Sequence, residues 1–146
     1  MRKLVYLSLF SLFLITSTNV FSQCDQKFIG KCVVSGGKAK YIKHFRIRFK
    51  ESPNKKKISE GSFTLMLNKG NHYRFLICND PSKPGSTIME LSNDFTKFGG
   101  NYNKAKDSEY RAFDFVCSKT GPYYIKMFFK DGKEGCGVCV LTLVTD

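Results

Sequence analysis

This sequence of 146 residues contains no tryptophan, only two histidines, and half as many acidic as basic residues. His44 and His72 are too few for a zinc site, because the chain has one C-x-x-C motif and no second one to complete it. It also lacks a G-x-S-x-G nucleophile motif and the clustered Asp-x-Asp spacing that binds calcium. The sequence therefore predicts no metal, no cofactor and no enzyme activity.

Long hydrophobic runs are also missing, apart from one at the start of the chain. Residues 4–15 are apolar and follow Arg2 and Lys3, but roughly 12 residues are too few for a transmembrane helix, which needs ~20. With Val20 and Ser22 at the −3 and −1 positions of a cleavage site, this order is typical of a signal peptide. We predict a signal peptide over residues 1–22 and a single domain over residues 23–146. That domain is expected to be secreted or periplasmic, without a transmembrane span.

The remaining apolar residues follow the period of β-strands. The pattern is cleanest in residues 45–50, where Phe45, Ile47 and Phe49 alternate with basic residues. Residues 113–144 contain three runs rich in Phe, Tyr, Val and Ile, which turn signals at residues 118–122 and 131–135 separate. No segment shows helical periodicity over three turns. The sequence predicts an all-β fold, an antiparallel β-sandwich of about seven to eight strands.

Five short motifs follow an order that a known family shares. They are Phe63-Thr64-Leu65, Lys69-Gly70, Tyr73-Arg74-Phe75, Phe113-Asp114-Phe115 and Thr120-Gly121-Pro122-Tyr123-Tyr124. Over roughly residues 61–145 the chain resembles the bacterial pre-peptidase C-terminal domain. The motifs YRF-x-x-C-N, FDF-x-C and DGKEGC, at residues 73–79, 113–117 and 131–136, are similar to those of small uncharacterised exported proteins of Bacteroidota. The resemblance implies a jelly-roll-like sandwich and little about chemistry. The cysteines depart from the first family.

Six cysteines in an exported chain predict disulfide bonds. The candidates are Cys24, Cys32, Cys78, Cys117, Cys136 and Cys139. Cys78 and Cys117 each end a predicted strand, and if those strands run in the same direction, the two cysteines lie at the same end of the sandwich. Cys78–Cys117 is therefore the first expected bond and Cys32–Cys136 the second, although six cysteines allow many pairings.

Cys136 and Cys139 form the C-x-x-C motif, which in other proteins can be a redox pair. Redox motifs of this kind lie at a helix N-terminus, whereas here a strand-like sequence follows at residues 140–144. An extended backbone would place the two cysteines ~10 Å apart and on opposite faces, beyond the ~7 Å between Cα atoms that a disulfide tolerates. Separate structural roles are favoured, and a thiol–disulfide redox protein using both cysteines is the alternative.

The chain has a net charge of +12, which becomes +10 when Arg2 and Lys3 are removed with the signal peptide. Many of the remaining basic residues are concentrated in one part of the chain. The anion-binding candidates are Arg46, Arg48, Lys50, Lys55, Lys56 and Lys57. Nucleic acid is not expected, because the aromatic residues between these cations would point into the core and could not stack on bases. The sequence predicts a non-catalytic binding module for an anionic glycan, an envelope surface or a secreted protein partner. An ordinary solvated face is the alternative interpretation.

Exposed aromatic side chains offer a second route to carbohydrate binding. The candidates are Tyr102, Tyr110, Tyr123 and Tyr124. Tyrosines within strands more often pack into a core, so the sequence pattern does not separate the two roles.

Overall fold

A computed structural model describes residues 24–145. The predicted signal peptide and its cleavage site lie outside these residues. The described chain contains one α-helix, α1 (Gln26–Val34), and a 3₁₀ turn (Lys130–Gly132). Its strands are β1 (Lys40–Phe49), β2 (Glu60–Leu67), β3 (His72–Asn79), β4 (Thr87–Ser92), β5 (Lys97–Gly100), β6 (Tyr102–Asn103), β7 (Ser108–Glu109), β8 (Ala112–Val116), β9 (Gly121–Phe129) and β10 (Gly135–Leu143).

Eight of these strands form two four-stranded sheets, in the orders β1-β10-β3-β8 and β2-β9-β4-β5. Every neighbouring pair is antiparallel. Counted along the chain, the eight sandwich strands give the sheet orders 1-8-3-6 and 2-7-4-5, which is the jelly-roll arrangement. The short strands β6 and β7 pair separately as a hairpin. The predicted antiparallel, jelly-roll-like sandwich is therefore confirmed.

The main core lies between the two sheets, and alternation along the strands builds it. In β1, Phe45 and Ile47 are buried while Arg46 and Arg48 are exposed, as the sequence predicts. The core takes side chains from both sheets, including Leu67, Phe75, Met89, Ile125, Met127, Phe129, Cys139 and Leu141. Strand β10 differs from the others because it is buried on both faces along nearly its whole length.

Helix α1 covers the outer face of β10 and explains that burial. Ile29 and Cys32 form a second apolar cluster with Leu76 of β3 and with Val138 and Val140 of β10. The Asp25 side chain accepts a hydrogen bond from the Lys27 backbone N–H at 3.0 Å, so it caps the helix N-terminus. The sequence did not predict this helix, because its nine residues complete fewer than three turns.

Residues 93–109 are rich in polar residues and glycine, and they contain strand β5 and the β6–β7 hairpin. Strand β5 is a sandwich strand that the sequence did not predict. Because it reverses the chain once more before β8, β8 runs opposite to the expected direction. Strands β3 and β8 are therefore antiparallel neighbours, with His72 opposite Val116 and Leu76 opposite Ala112. Cys117 thus lies beside the start of β3, whereas Cys78 lies near its end.

This reversal corrects the expected disulfides. The structure joins Cys24 to Cys136 and Cys32 to Cys78, with Cα atoms 5.8 and 6.0 Å apart. Neither Cys78–Cys117 nor Cys32–Cys136 forms, because Cys78 packs under α1 at one end of the sandwich and Cys117 belongs to the main core at the other. Both observed bonds hold α1 on its sheet, one before the helix and one within its last turn.

Candidate functional site

The C-x-x-C motif does not form a shared thiol site. Cys136 and Cys139 point to opposite faces of β10, as predicted, since Cys136 is bonded to Cys24 while Cys139 lies in the main core. Cys139 is a buried thiol, and burial raises its pKa well above the ordinary value. The two sulfur atoms therefore have different surroundings, and neither has the environment of a reactive thiolate.

The predicted anion-binding residues lie along β1 and the loop that follows it. Arg46 and Arg48 project from the outer side of β1, and Lys50 comes immediately after the strand. Lys55, Lys56 and Lys57 are exposed on the loop between β1 and β2. We refer to these six residues as the basic face.

The β1–β2 loop lies at the same end of the sandwich as Arg48. Arg48 is opposite Cys136 in the β1–β10 register, so it lies next to the start of β10. The Ser52 backbone N–H donates to the carbonyl of Gly132 at 2.7 Å, which fixes the loop against the turn that precedes β10. This loop joins the edge strands of the two sheets, so its lysines lie at this end of the sandwich.

The structure adds three cations that the sequence did not assign to the site. Lys27 and Lys31 of α1, Arg48 of β1 and Lys83 of the loop after β3 line one groove of about 520 Å³. The Cys24–Cys136 disulfide also lines it and holds the start of the helix against β10. We call this concavity the basic groove. Its cations come from a helix, a strand and a loop, so only the folded chain brings them together.

Two carboxylates, Asp25 and Asp80, also line the basic groove, and both are engaged within the protein, Asp25 as the N-terminal cap of α1. Asp80 accepts hydrogen bonds from the Ser82 hydroxyl and backbone N–H, which lower the Asp80 pKa. Glu134 accepts from the Lys83 ammonium at 2.7 Å. This contact holds the pKa of Glu134 below its ordinary value, and the charges of Arg48 and Lys50 lower it further. Asp80 and Glu134 are thus ionised at neutral pH and oriented by their own partners.

Other groove cations lack such partners in the described chain. Among residues 24–145, no salt bridge within 4 Å joins Lys27, Lys31 or Arg48 to a carboxylate. Lys27 and Lys31 are four residues apart on α1, so they lie on the same side of the helix. An anion entering the groove would therefore meet ammonium and guanidinium groups that can donate charge-assisted hydrogen bonds.

The tyrosine candidates divide between packing and surface roles. Tyr123 is buried in the core and donates to the Lys119 carbonyl at 2.8 Å. Tyr102 and Tyr124 donate to Asp107 and Asp94 at 2.7 and 2.9 Å. Tyr110 is half-exposed and lines a separate cleft beside the Cys32–Cys78 disulfide. Only some of these residues are thus accessible to a ligand.

Metal binding, membrane crossing and similarity to known proteins offer no further lead to the function. Within residues 24–145, no group of three or more His, Cys, Asp or Glu residues is placed to hold a metal ion. No helix in the same range is long and apolar enough to cross a membrane. No protein-family model matches the sequence, and no curated protein matches it either. A function for this chain therefore has to be inferred from the chemistry of its surface.

Proposed function

We propose that this protein is an exported, non-catalytic binding module that recognises an anionic glycan or an anionic envelope surface through its basic face and basic groove. The observation that carries the proposal is the convergence of Arg48 with Lys27, Lys31 and Lys83 around a single groove. Four cations and two carboxylates line this groove, so it has an excess of positive charge. Such an excess raises the local concentration of anionic ligands and speeds their association.

An extracellular or periplasmic location is supported by the two disulfides, since such bonds persist in oxidising compartments. The predicted signal peptide agrees with this location. The jelly-roll strand order supports the proposed likeness to the pre-peptidase C-terminal domain at the level of fold, and we carry over no activity from it. The thiol–disulfide alternative gains no support, because Cys136 and Cys139 do not share a site.

A charge-reversal experiment tests the electrostatic part of the proposal. The triple variant Lys55→Glu, Lys56→Glu and Lys57→Glu removes the loop cations. A matched control carries Lys40→Glu, Lys69→Glu and Lys119→Glu, which are exposed positions at the opposite end of the sandwich. Both variants change the net charge equally, so they differ only in where the charge is lost.

Binding should be measured to arrayed oligosaccharides bearing uronic acid or sulfate groups and to phosphatidylglycerol vesicles. We expect the loop variant to lose at least ~10-fold in affinity and the control less than ~3-fold, with binding weakened as salt rises toward ~1 M. Equal losses in the two variants, or binding that does not respond to salt, would contradict the proposal. Absence of binding to both kinds of probe would do so as well.

A further inference from the structure

A second concavity lies on the outer face of the β2-β9-β4-β5 sheet, at the same end of the sandwich as the basic groove. It measures about 590 Å³. Strands β4, β5 and β9 form its base, while the β1–β2 loop, the β6–β7 hairpin and the turn before β10 form its walls. Its volume is within the ~300–1,000 Å³ typical of small-molecule sites. We call it the ring pocket.

The floor of the ring pocket is apolar. Ile88 and Phe128 are opposite each other in the β4–β9 register, on the side of the sheet that faces away from the main core. Ile88 is nevertheless only 1 % exposed, and Phe128 is half-buried. The apolar surface that a ligand can reach on this floor is therefore mainly that of Phe128.

The rim of the ring pocket carries both donors and acceptors. Glu90 and Lys97 form a salt bridge of 2.7 Å, and Lys104 and Asp131 lie on the same rim. Carboxylates accept hydrogen bonds and ammonium groups donate them, whereas hydroxyl groups do both. A rim of mixed sign over an apolar floor fits a ligand with one apolar side and hydroxyl groups around its edge. A sugar in the pyranose form has this distribution, because its C–H groups can lie against an aromatic ring while its hydroxyls point outward.

We infer that the ring pocket binds one pyranose ring of the proposed anionic glycan. This inference rests on the proposed function and deepens it, since it assigns the ligand to a glycan rather than a lipid surface. Ile58 lines the pocket and directly follows Lys57. A glycan chain that leaves the pocket past Ile58 would therefore meet the three loop lysines with its acidic groups. The ring pocket supplies shape recognition, and the basic face supplies charge recognition.

Two aromatic truncations on one strand test the inference. Phe128→Ala removes the aromatic floor, and Tyr124→Ala is its matched control on the same outward face of β9 but outside the pocket. Lys97→Gln, at a side chain that is 62 % exposed, perturbs the rim without affecting the core. This rim variant carries the test if Phe128→Ala does not fold, which circular dichroism would show.

The oligosaccharide that binds best on the acidic glycan array should be titrated against each variant by calorimetry. We expect Phe128→Ala to lower its affinity at least ~10-fold, Lys97→Gln at least ~3-fold and Tyr124→Ala less than ~2-fold, since only the first two alter the pocket. If acidic glycans bind and the loop lysines matter, but Phe128→Ala and Lys97→Gln bind like wild type, the pocket inference is wrong and the proposed function stands. Binding to phosphatidylglycerol vesicles but to no glycan would also show that the pocket inference is wrong while the proposed function stands. Neutral oligosaccharides should be placed on the same array as a comparison. If only these bind and Phe128→Ala abolishes their binding, the proposed function is wrong, and the ring pocket binds a pyranose ring of a neutral glycan instead.

Discussion

The two outer faces of the sandwich are built in different ways. The β1-β10-β3-β8 sheet is covered by α1, which two disulfides attach and which buries the outer side of β10. On the outer side of the β2-β9-β4-β5 sheet, β9 alternates between buried core residues and exposed or half-buried ones. Met66 of β2 is 66 % exposed on that side.

This difference decides what kind of site each face can form. The covered face has its concavity at the edge of the helix, where cations of α1 meet Arg48 and Lys83 in the basic groove. The open face has its concavity on the sheet itself, where short loops surround an apolar floor. Covalent attachment of a helix thus produces a charged groove, and an uncovered sheet produces an apolar pocket.

The largest expected effect comes from removing the bonds that create the covered face. The Cys24–Cys136 and Cys32–Cys78 bonds span 112 and 46 residues of sequence. Chain-entropy estimates give stabilisations of about 5 and about 4 kcal/mol respectively. We expect the Cys24→Ala, Cys136→Ala variant to lose more unfolding free energy than the Cys32→Ala, Cys78→Ala variant. Urea denaturation measures both losses. Variants as stable as wild type would show that the disulfides do not hold the helix in place.

A smaller effect is expected from truncating one aliphatic side chain on each outer face. Leu76 is buried under α1, so Leu76→Ala should lower the free energy of unfolding by about 2–5 kcal/mol. Met66→Ala on the open face should change it by less than ~0.5 kcal/mol. Chemical denaturation measures both. Similar losses in the two variants would contradict the assignment of one covered and one open face.

At the contact between the two sheets, one substitution is expected to raise the free energy of unfolding rather than lower it. Thr87 is fully buried, and its hydroxyl has no hydrogen-bond partner among residues 24–145. A Cβ at Gly137 would overlap that hydroxyl, so the two residues face each other across the sandwich. Thr87→Val keeps the shape and removes the unpaired group, and should raise the free energy of unfolding by about 1 kcal/mol. A clear loss of stability in this variant would indicate that the hydroxyl has a partner in solution.

The smallest effect concerns acid stability at the uncovered edge of the first sheet. Arg74 donates to both carboxylate oxygens of Asp114 at 2.7 and 2.9 Å, and these hydrogen bonds lower the Asp114 pKa. The stabilisation is therefore present above the unfolded pKa of about 4 and is lost as the pH falls through the lower folded value. Because both side chains are close to half-exposed, the contribution should stay below ~1 kcal/mol. Asp114→Asn should show a shallower loss of stability between neutral and acidic pH than wild type.

Alternation and turn residues predicted most of the sandwich, because a long strand with one buried face has apolar residues at every second position. The features that escaped prediction are short. Helix α1 has nine residues, and β5 has four residues that include Gly99 and Gly100. Missing β5 inverted the expected direction of β8, and that error alone was enough to misassign the partner of Cys78.

The sequence predicted only the part of the candidate site that lies on one continuous segment, β1 and the loop that follows it. Arg46 and Arg48 were found by alternation along β1, since both follow a buried neighbour. Lys27 and Lys31 needed a helix that was not predicted, and Lys83 lies in a loop more than thirty residues away in sequence from Arg48. Residues brought together by disulfides and loops leave no periodic signal, so their convergence appears only in the folded chain.

Amide chemical-shift mapping by two-dimensional NMR tests most directly whether a glycan binds at the end of the sandwich that carries the groove, the lysine loop and the ring pocket. An acidic oligosaccharide selected on the array should be titrated into the wild-type protein. The expected result is a set of shifted amides at this end that includes Lys31, Arg48, Lys56 and Phe128. Shifts centred instead on the opposite end, around Lys69 and Lys119, would contradict the account.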